Sequence, residues 1–339
     1  MKAVLVKEPF KVELIEVPSP QISRADDVIV KVISGGICGS DIGIYNGTNS
    51  LATYPRIIGH EFGGEVVEVG DGVRDIKVGD KVAVDPVNSC GHCYVCTHGR
   101  HNVCGTLEVS GVHRDGGFAE YFLTKQSLCH KVDTNKVPQE ALFMVEPYSI
   151  GMEINYRGNI REDDFVLIMG SGPIGISAMQ VAKSRGAKVM MTDLIDTRLE
   201  LAKDMGADVV VNVNNIDLTK EVMDRTNGLG MPVVVDSVCS VQSPVWAAQL
   251  ACPAGRVVIL GLKDAPSPIP QVYITKKGLD VVGSRLSNHR FPEVIELLEK
   301  GVLTPEKMIT RSFDAVDVES AIQLVEKHPE QVCKVSLKF

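Results

Sequence analysis

Four of the nine cysteines in this chain lie close together with the spacing of a metal site. The pattern C-x2-C-x2-C-x7-C places thiols at Cys90, Cys93, Cys96 and Cys104. Four thiolates can surround zinc as a tetrahedron and leave no position open for a substrate, so the pattern predicts a structural zinc site. Buried or disulfide-bonded cysteines are the alternative, but an intracellular chain of this size more often uses such a cluster for metal.

A second, more scattered set of residues has the types that bind a catalytic metal ion. Cys38 lies in the segment GICGSD, His60 and Glu61 are adjacent, and Glu146 comes much later in the chain. A thiolate, an imidazole and a carboxylate could hold zinc and leave one position for water or substrate. Each residue also has an ordinary interpretation: Cys38 as a core thiol, His60 as a turn histidine, and Glu146 as a capping or surface acid. The spacing alone leaves both interpretations open.

The stretch from Phe165 to Asp193 has the residue types and order of a dinucleotide-binding unit. An apolar strand, FVLIM, leads into a glycine-rich turn and a helix, and a second strand ends at Asp193. The turn and the start of the helix contain Gly170, Gly172, Ile174 and Gly175. In this pattern the first glycine makes the tight turn, the second lets the backbone approach a pyrophosphate, and the third permits close packing of helix on strand.

Asp193 and Arg198 bear on which dinucleotide would bind. The Asp193 carboxylate is placed to accept hydrogen bonds from ribose hydroxyl groups, and it would repel the additional phosphate of NADP. The sequence therefore favours NAD. Arg198 weakens this preference, because it could cover the adenosine or contact a phosphate.

Two kinds of secondary-structure pattern must position these residues. Residues 1 to about 140 contain short β-rich runs separated by Gly, Asp and Pro, which predicts a small barrel-like β domain. From Asp164 the strands FVLIM, KVMMT, VVVNV, PVVVD, RVVIL and LDVVG alternate with helical stretches, as in a complete doubly wound parallel sheet. Two amphipathic helices and a final strand, KVSLKF, follow Arg285, and this strand could return to the first domain.

Composition excludes several classes of function. The 339 residues suggest two domains, and a net charge of −8 without any basic run argues against nucleic-acid binding. No apolar segment approaches the length of a membrane span, and the first residues read as a strand with internal charges, not as a signal peptide. The composition is thus that of an ordinary soluble globular protein, and the use of clustered cysteines for metal favours the cytoplasm as its compartment.

Several motifs together resemble the zinc-dependent medium-chain dehydrogenases, and they cover essentially the whole chain. The segments GGICGSD, GHEFGGEVVEVG, VGDKVAVDP, the four-cysteine lobe, DGGFAEY and GSGPIG occur in the order found in that family. The chain is most similar to the sorbitol and threonine dehydrogenase branch. Within that branch it resembles the bacterial starvation-sensing sugar-acid dehydrogenases, of the L-gulonate or L-galactonate 5-dehydrogenase type.

This resemblance implies an α/β fold in which a doubly wound (Rossmann) NAD-binding domain is inserted into a GroES-like β-barrel catalytic domain. The implied ranges are 1–145 for the catalytic domain with its zinc lobe at about 88–106, 146–287 for the nucleotide domain, and 288–339 for a segment that returns to the catalytic domain. It implies NAD and two zinc ions per chain, one catalytic and one structural, and a homodimer or homotetramer.

The resemblance also implies roles for individual residues. Cys38 and His60 match the catalytic zinc ligands, and Glu146 matches the acid that serves as a ligand in the sorbitol branch. Glu61 matches the neighbouring acid that approaches the metal as an alternative or second-sphere ligand, so the third ligand is Glu61 or Glu146. Ser40 matches a hydroxyl that contacts the reacting alcohol. The residues that match the nicotinamide lining are Leu260, Gly261, Leu262, Ser284 and Arg285. One departure concerns proton transfer: Gly43 stands where threonine and alcohol dehydrogenases carry a relay histidine, so the proton must leave by another path.

The expected reaction is oxidation of L-gulonate to D-fructuronate with NAD. Other hexonates such as L-galactonate and L-idonate, a neutral polyol such as sorbitol, and L-threonine are alternatives, as is an NAD-binding regulatory protein without turnover. A sugar acid needs a cation for its carboxylate, and the candidates are Arg285, Arg114 and His113.

Overall fold

The computed structural model describes residues 1–339 and contains two compact units. Unit 1 comprises Met1–Ser149 and Ser287–Phe339, and unit 2 comprises Ile150–Leu286. The sequence analysis places the start of the nucleotide domain at residue 146. In the structure the division between the two units falls after Ser149, inside the helix Val145–Arg157. Tyr148, in the first turns of that helix, has its hydroxyl 3.5 Å from the sulfur of Met308 in unit 1. The amino end of the helix is therefore held by unit 1.

Eighteen strands form the sheets of the two units. In chain order they are β1 (Lys2–Glu8), β2 (Lys11–Glu16), β3 (Asp27–Gly36), β4 (Arg56–Ile57), β5 (Glu61–Val69), β6 (Lys81–Val84), β7 (Val87–Asn88), β8 (Glu108–Val109), β9 (Tyr121–Lys125), β10 (Cys129–Lys131), β11 (Phe165–Met169), β12 (Lys188–Asp193), β13 (Val209–Asn212), β14 (Met231–Asp236), β15 (Ala251–Ile259), β16 (Asp280–Gly283), β17 (Ile309–Asp314) and β18 (Lys334–Lys338).

Ten α-helices and several short 3-10 helices connect the strands. The α-helices are α1 (Gly39–Tyr45), α2 (Tyr94–Thr97), α3 (Val145–Arg157), α4 (Pro173–Ser184), α5 (Asp196–Asp204), α6 (Leu218–Arg225), α7 (Ser243–Leu250), α8 (Gln271–Lys277), α9 (Phe291–Glu299) and α10 (Val318–Lys327). The 3-10 helices are His101–Val103, Gln126–Leu128, Gln139–Met144, Pro305–Met308 and Ala315–Asp317. None of the helices combines the length and the apolar composition needed to cross a membrane.

The main sheet of unit 1 joins strands from both ends of the chain. Its order is β10-β6-β5-β3-β18-β17, and β9 also pairs with β3. The final strand β18 runs antiparallel to β3, with Ser336 opposite Gly36. The return of the last strand to the first domain is thus confirmed. One face of this sheet packs in an apolar core that includes Val30, Phe62 and Phe122.

Unit 2 is a doubly wound parallel sheet of six strands in the order β13-β12-β11-β14-β15-β16. All five strand pairs are parallel. This is the order 3-2-1-4-5-6 of a dinucleotide-binding domain, in which β11 and β14 flank the point where the strand order reverses. The carboxyl ends of β11 and β12, where ligands bind in such sheets, therefore carry the glycine-rich turn and Asp193.

Two glycines with left-handed backbone offer a matched test of packing in unit 1. Gly59 has φ +97°, and a Cβ added there would overlap the ring of Phe118. Gly79 has φ +91°, but nothing lies within 4 Å of its Cβ position. We expect Gly59→Ala to lower the free energy of unfolding by about 1–3 kcal/mol more than Gly79→Ala, because only the former adds steric overlap to backbone strain. Urea unfolding of both variants measures the difference, and equal losses would contradict this account.

Candidate active site

The register of the main sheet in unit 1 brings Cys38 beside His60 and Glu61. Gly36, the last residue of β3, lies opposite Glu61, the first residue of β5. A Cβ at Gly36 would overlap the Oε2 atom of Glu61, so only glycine leaves room for the carboxylate. Cys38 follows immediately as the N-cap residue of α1. A turn between strand and helix thus presents its thiol to the start of β5.

The side chains of Cys38, His60 and Glu61 form a group that could hold a metal ion. One ligand atom from each lies within 4.8 Å of the others. His60 and Glu61 are buried, and the Oε2 atom of Glu61 makes no hydrogen bond of good geometry, although the Lys334 ammonium lies 2.6 Å from it. Buried polar atoms without hydrogen bonds are costly unless an ion or another partner satisfies them. A thiolate, an imidazole and a carboxylate are also the donor types that zinc prefers, so the residues fit the metal.

The Asp41 carboxylate contacts two members of this group, Cys38 and His60, and orients them. It is fully buried, and its carboxylate accepts a hydrogen bond from the Cys38 backbone N–H at 2.9 Å. Its other oxygen lies 3.5 Å from Nδ1 of His60. Burial lowers the pKa of His60, but the Asp41 carboxylate and then Cys38 raise it, and the balance is a pKa well above the usual value. Such a carboxylate on one ring nitrogen directs the other nitrogen toward a metal.

Glu146 faces the same buried region from the first turn of α3. It is 5% exposed, and burial, followed by repulsion from Glu61, raises the pKa of its carboxyl to about 8. His60 and Lys334 act in the opposite direction on this pKa. Two electrostatic neighbours of Glu146, Glu61 and His60, are therefore members of the metal-ligand group, although the Glu146 oxygens lie outside that cluster. A divalent cation would favour the charged form of this carboxyl.

Ser40 is the remaining polar side chain that sequence similarity assigned to this site. Its Oγ atom lies 3.3 Å from Nε2 of His60. The hydroxyl is thus adjacent to the imidazole nitrogen that Asp41 leaves available. A hydroxyl in this position can exchange a hydrogen bond with a substrate oxygen held at the same place.

The four cysteines of the zinc lobe lie together as their spacing predicts. The sulfur–sulfur distances are 3.5 Å for Cys90–Cys104 and Cys93–Cys96, 3.8 Å for Cys93–Cys104 and 4.0 Å for Cys90–Cys96. A tetrahedron with zinc–sulfur bonds of about 2.3 Å has edges of about 3.8 Å. None of the four is in a disulfide bond. The geometry matches a four-thiolate zinc site without an open position.

The glycine-rich turn of unit 2 has the conformation that its sequence requires. Gly170 has φ +99°, and a Cβ at Gly175 would overlap the carbonyl oxygen of Gly170. Gly172 is the N-cap of α4, and open space surrounds its Cβ position. The Asp193 carboxylate accepts hydrogen bonds from the N–H groups of Ser171 and Leu194, both at 2.8 Å. Asp193 therefore stabilises the glycine-rich turn and lies next to it at the end of β12.

A cavity of about 760 Å³ lies at the carboxyl ends of β11, β12 and β14. It contains four of the residues assigned to the cofactor: Gly170, Gly172, Asp193 and Arg198. The cavity is also lined by residues that the sequence did not indicate, among them Leu218, Ser237, Trp246 and Gln249. These residues lie on α6, α7 and the loop after β14, and no local motif marks them.

The other residues assigned to the cofactor lie outside this cavity. Ile174 is half-buried near the start of α4. Leu260, Gly261 and Leu262 follow β15, and Leu262 is 73% exposed. The N–H of Ser284 donates to the carbonyl of Ile259 at 2.9 Å, so Ser284 and Arg285 lie at the same sheet edge as residues 260–262. Their role at a nicotinamide ring stays a prediction.

The three candidates for a substrate carboxylate have different surroundings. His113 accepts a hydrogen bond from the Val109 N–H at Nδ1, at 3.1 Å, within its own loop. The Arg114 guanidinium lies over the ring of Phe122 and lines a separate cavity of about 210 Å³. Arg285 belongs to unit 2. The structure of unit 1 does not bring His113 or Arg114 into the group formed by Cys38, His60 and Glu61.

Two residues of the site were missed by sequence reasoning. Asp41 follows Cys38 by three positions, the spacing of a helix capping box, and this signal could have identified it. Lys334 contacts Glu61 from β18, at a sequence separation of 273 residues. No local pattern could have indicated this contact.

The four-cysteine site leads to a prediction about stability. We expect Cys93→Ser to lose one zinc ion per chain and to unfold at a lower temperature, because zinc bound by four thiolates contributes directly to folding. Elemental analysis and thermal unfolding measure the two effects. Cys252→Ser is the control, since Cys252 is a buried thiol outside both metal groups. Retention of full zinc content by Cys93→Ser would contradict the assignment.

The single tryptophan of the chain provides a probe of the cavity in unit 2. Because Trp246 lines this cavity, we expect NADH to quench its fluorescence and to emit by energy transfer. Titration with NADH measures the effect, and Trp246→Phe should abolish the transfer signal. Binding of NADH with unchanged tryptophan emission would place the cofactor elsewhere.

Comparison with known proteins identifies the family of this chain. Residues 24–134 match the alcohol dehydrogenase GroES-like domain, and residues 173–300 match the zinc-binding dehydrogenase domain. The starvation-sensing protein RspB of Escherichia coli K12 is 43% identical and covers 100% of this chain and 99% of its own length. The rspB crystal structure from E. coli CFT073, complexed with NADH, has a TM-score of 0.95, 42% identity, and coverage of 100% of this chain and 99% of that one.

Two further relatives carry names that specify a substrate. Sorbitol dehydrogenase of Bacillus subtilis is 31% identical and covers 99% of this chain and 96% of its own. The structure of L-idonate 5-dehydrogenase from E. coli has a TM-score of 0.90 with 25% identity, and covers 100% of this chain and 98% of that one. The fold, the two metal-ligand groups and these similarities agree: the chain belongs to the zinc-type alcohol dehydrogenases, the medium-chain family with GroES-like and nucleotide-binding domains, and is an NAD-type oxidoreductase.

Proposed function

We propose that this protein oxidises a secondary hydroxyl of a sugar acid to a ketone, with NAD as the acceptor, at a zinc ion held by Cys38, His60 and a carboxylate from Glu61 or Glu146. The observation that carries the proposal is the buried group of ligand types around Cys38, His60 and Glu61. The Ser40 hydroxyl also lies 3.3 Å from the His60 ring. A metal site with a purely structural role would not need a hydroxyl in this position. The group therefore suits a reaction on an alcohol.

The chemistry divides between the bound groups and the side chains. When bound, zinc would supply Lewis-acid polarisation of the substrate oxygen, and NAD would supply the acceptor for the hydride from the carbinol carbon. Asp41 holds the His60 ring and the Cys38 backbone in one orientation. Burial of His60 and Glu61 limits the contact of these two side chains with water and strengthens electrostatic interactions between them and a bound ion.

Ser40 is the first group that could carry the hydroxyl proton away. The Ser40 hydroxyl can accept a hydrogen bond from the substrate hydroxyl while it donates its own proton to water. Because Ser40 is only half-buried, water can reach it. At Gly43, where related enzymes have a histidine, a Cβ would lie 3.5 Å from the Thr48 hydroxyl. Thr48 is exposed, so its hydroxyl is a second group near this position that could exchange a proton with solvent.

We propose L-gulonate as the substrate, with D-fructuronate as its product. The support is the resemblance of the sequence to the bacterial starvation-sensing sugar-acid dehydrogenases, the full-length similarity to the starvation-sensing protein RspB, and the similarity in structure to L-idonate 5-dehydrogenase. L-galactonate, L-idonate, sorbitol and L-threonine are the alternatives, because polarisation of a secondary alcohol does not depend on its other substituents. Arg285 is the proposed contact of the carboxylate, because a guanidinium can bind it through two hydrogen bonds.

A regulatory protein that binds NAD without turnover is the alternative from a different class. The complete set of catalytic ligand types argues against it, because a sensor has no need of an open zinc site. Two zinc ions per chain support the enzyme, and one zinc ion supports a protein that has lost the catalytic metal. We also propose that the protein acts in the cytoplasm as a homodimer or homotetramer, and light scattering would give the number of chains.

The proposed reaction is tested by NADH formation from the zinc-loaded protein. The panel contains L-gulonate, L-galactonate, L-idonate, D-mannonate, sorbitol and L-threonine. Turnover of L-gulonate above the others is expected. Turnover of sorbitol or L-threonine alone would keep the mechanism and refute the sugar acid, and absence of turnover with NADH still bound would favour the regulatory alternative.

The separation of metal and cofactor sites predicts the behaviour of Cys38→Ser. We expect this variant to lose turnover, because its hydroxyl is a poor substitute for a thiolate ligand. NADH binding should persist, because the glycine-rich turn and its cavity belong to unit 2. Activity and Trp246 quenching measure the two properties. Loss of quenching in a folded Cys38→Ser protein would contradict this separation.

A further inference from the structure

A small cavity of unit 1 is lined mainly by positively charged side chains. It has a volume of about 210 Å³ and lies between the turn before β3, strand β9 and the loop that carries Arg114. Three cations line this cavity, Arg24, Arg114 and Lys125, together with one carboxylate, that of Asp27. The lining therefore carries a net charge of +2.

The three cations have no carboxylate partner of their own. Arg24, Arg114 and Lys125 form no ion pair, although Arg114 and Lys125 are half-buried. The acid next to Arg114 in sequence, Asp115, is engaged elsewhere, because its carboxylate accepts hydrogen bonds from the Arg56 side chain at 3.0 Å and the N–H of residue 57 at 3.1 Å. Partial burial of an unpaired charge costs solvation free energy, and a bound anion would offset this cost.

The Asp27 carboxylate is already satisfied by the turn that precedes β3. Its Oδ2 atom accepts hydrogen bonds from the N–H groups of Ser23 and Arg24, at 3.0 and 2.8 Å, and from the Ser23 hydroxyl at 3.1 Å. Burial alone would raise the pKa of Asp27, but these donors and the charge of Arg24 lower it below its ordinary value. Asp27 thus stays charged and fixes the backbone at Arg24, and one carboxylate cannot compensate three cations.

Thr124 contributes an unpaired hydroxyl group to the same cavity. Thr124 is only 5% exposed, lines the cavity and forms no side-chain hydrogen bond within the protein. Buried hydroxyl groups normally have a hydrogen-bond partner. A hydroxyl can donate to an anion, so the cavity combines guanidinium, ammonium and hydroxyl donors without an acceptor for them.

The loop that carries Arg114 is closely packed, so the position of this arginine is set in advance. The Gly111 N–H donates to the carbonyl of Arg114 at 2.8 Å, and the Gly117 N–H donates to the carbonyl of Gly59 at 2.9 Å. A Cβ at Gly111 would overlap the carbonyl oxygen of Gly59. The Arg114 guanidinium itself lies 6.0 Å from the centre of the Phe122 ring.

We propose that this cavity binds a small dianion of the phosphate class, either inorganic phosphate or a phosphate monoester, through Arg114, Lys125 and Thr124. A guanidinium can bind two phosphate oxygens through parallel hydrogen bonds, and a lining with a net charge of +2 favours a dianion over a monocarboxylate. The volume is below the roughly 300 Å³ at which sites for drug-sized ligands begin, which suits a single phosphate group.

This anion site is separate from the group formed by Cys38, His60 and Glu61. Strand β3 runs from Asp27 at the cavity to Gly36 opposite Glu61, a distance of about 30 Å at the usual rise per residue. A ligand in the cavity therefore cannot contact a substrate at the metal-ligand group. The anion site does not depend on the proposed reaction.

The experiment measures binding of inorganic phosphate and of glycerol 3-phosphate by calorimetry at constant ionic strength. The full-length protein is saturated with NADH, because the glycine-rich turn of unit 2 also suits phosphate groups. We expect one phosphate per chain, and at least about tenfold weaker binding in Arg114→Gln and in Lys125→Gln, because each change removes a charge-assisted hydrogen bond. Arg311→Gln, at an exposed arginine of β17, makes the same charge change outside the cavity and should bind as wild type does.

Thr124→Val keeps the test decisive if the removal of a cation impairs folding. Valine keeps the β-branched shape and lacks only the hydroxyl, so binding should weaken by about threefold or more. Tighter binding of glycerol 3-phosphate than of phosphate would identify a monoester as the ligand, and the reverse would identify inorganic phosphate. Equal binding by wild type and all three cavity variants, no binding of either compound at millimolar concentration, or tighter binding of L-gulonate than of both would overturn the proposal.

Discussion

The antiparallel register of β3 determines the geometry of the group formed by Cys38, His60 and Glu61. Gly36 lies opposite Glu61 of β5 on one side and Ser336 of β18 on the other. A shift by one residue would turn the side chains of either neighbouring strand to the opposite face of the sheet. The approach of Cys38 to His60, the burial of Glu61 and the contact with Lys334 all depend on this pairing. Glycine at position 36 is needed because any side chain there would occupy the space of the Glu61 carboxylate.

Much of the architecture could be predicted because its determinants are local. The turn between β11 and α4 is specified by glycines within six positions of one another, and the four-cysteine lobe by spacing within fifteen residues. The six strands of unit 2 appear as short apolar runs, and all six are present in the expected parallel sheet. In these cases the residues that interact are also neighbours in sequence, or their periodicity reports directly which face is buried.

The contacts that sequence reasoning missed join distant segments. Lys334 reaches Glu61 only because β18 pairs with β3. The sequence pattern of neither strand indicates this pairing. Trp246 and Leu218 line the cavity beside Asp193 because α6 and α7 lie at the carboxyl edge of the parallel sheet. The proposed catalytic ligands were indicated only by resemblance to a family, since Cys38, His60 and Glu146 taken singly have ordinary alternatives. Metal sites assembled across a sheet are for this reason harder to derive from spacing than sites within one loop.

The separation of 273 residues between Glu61 and Lys334 has a consequence for biosynthesis. Unit 1 takes the last strands of its main sheet from the end of the chain, and domains generally fold as units. Cys38, His60 and Glu61 leave the ribosome long before Lys334 does, so the Glu61 carboxylate acquires its buried cation only when synthesis of the chain is nearly complete. Completion of the sheet and charge compensation of Glu61 are therefore one step.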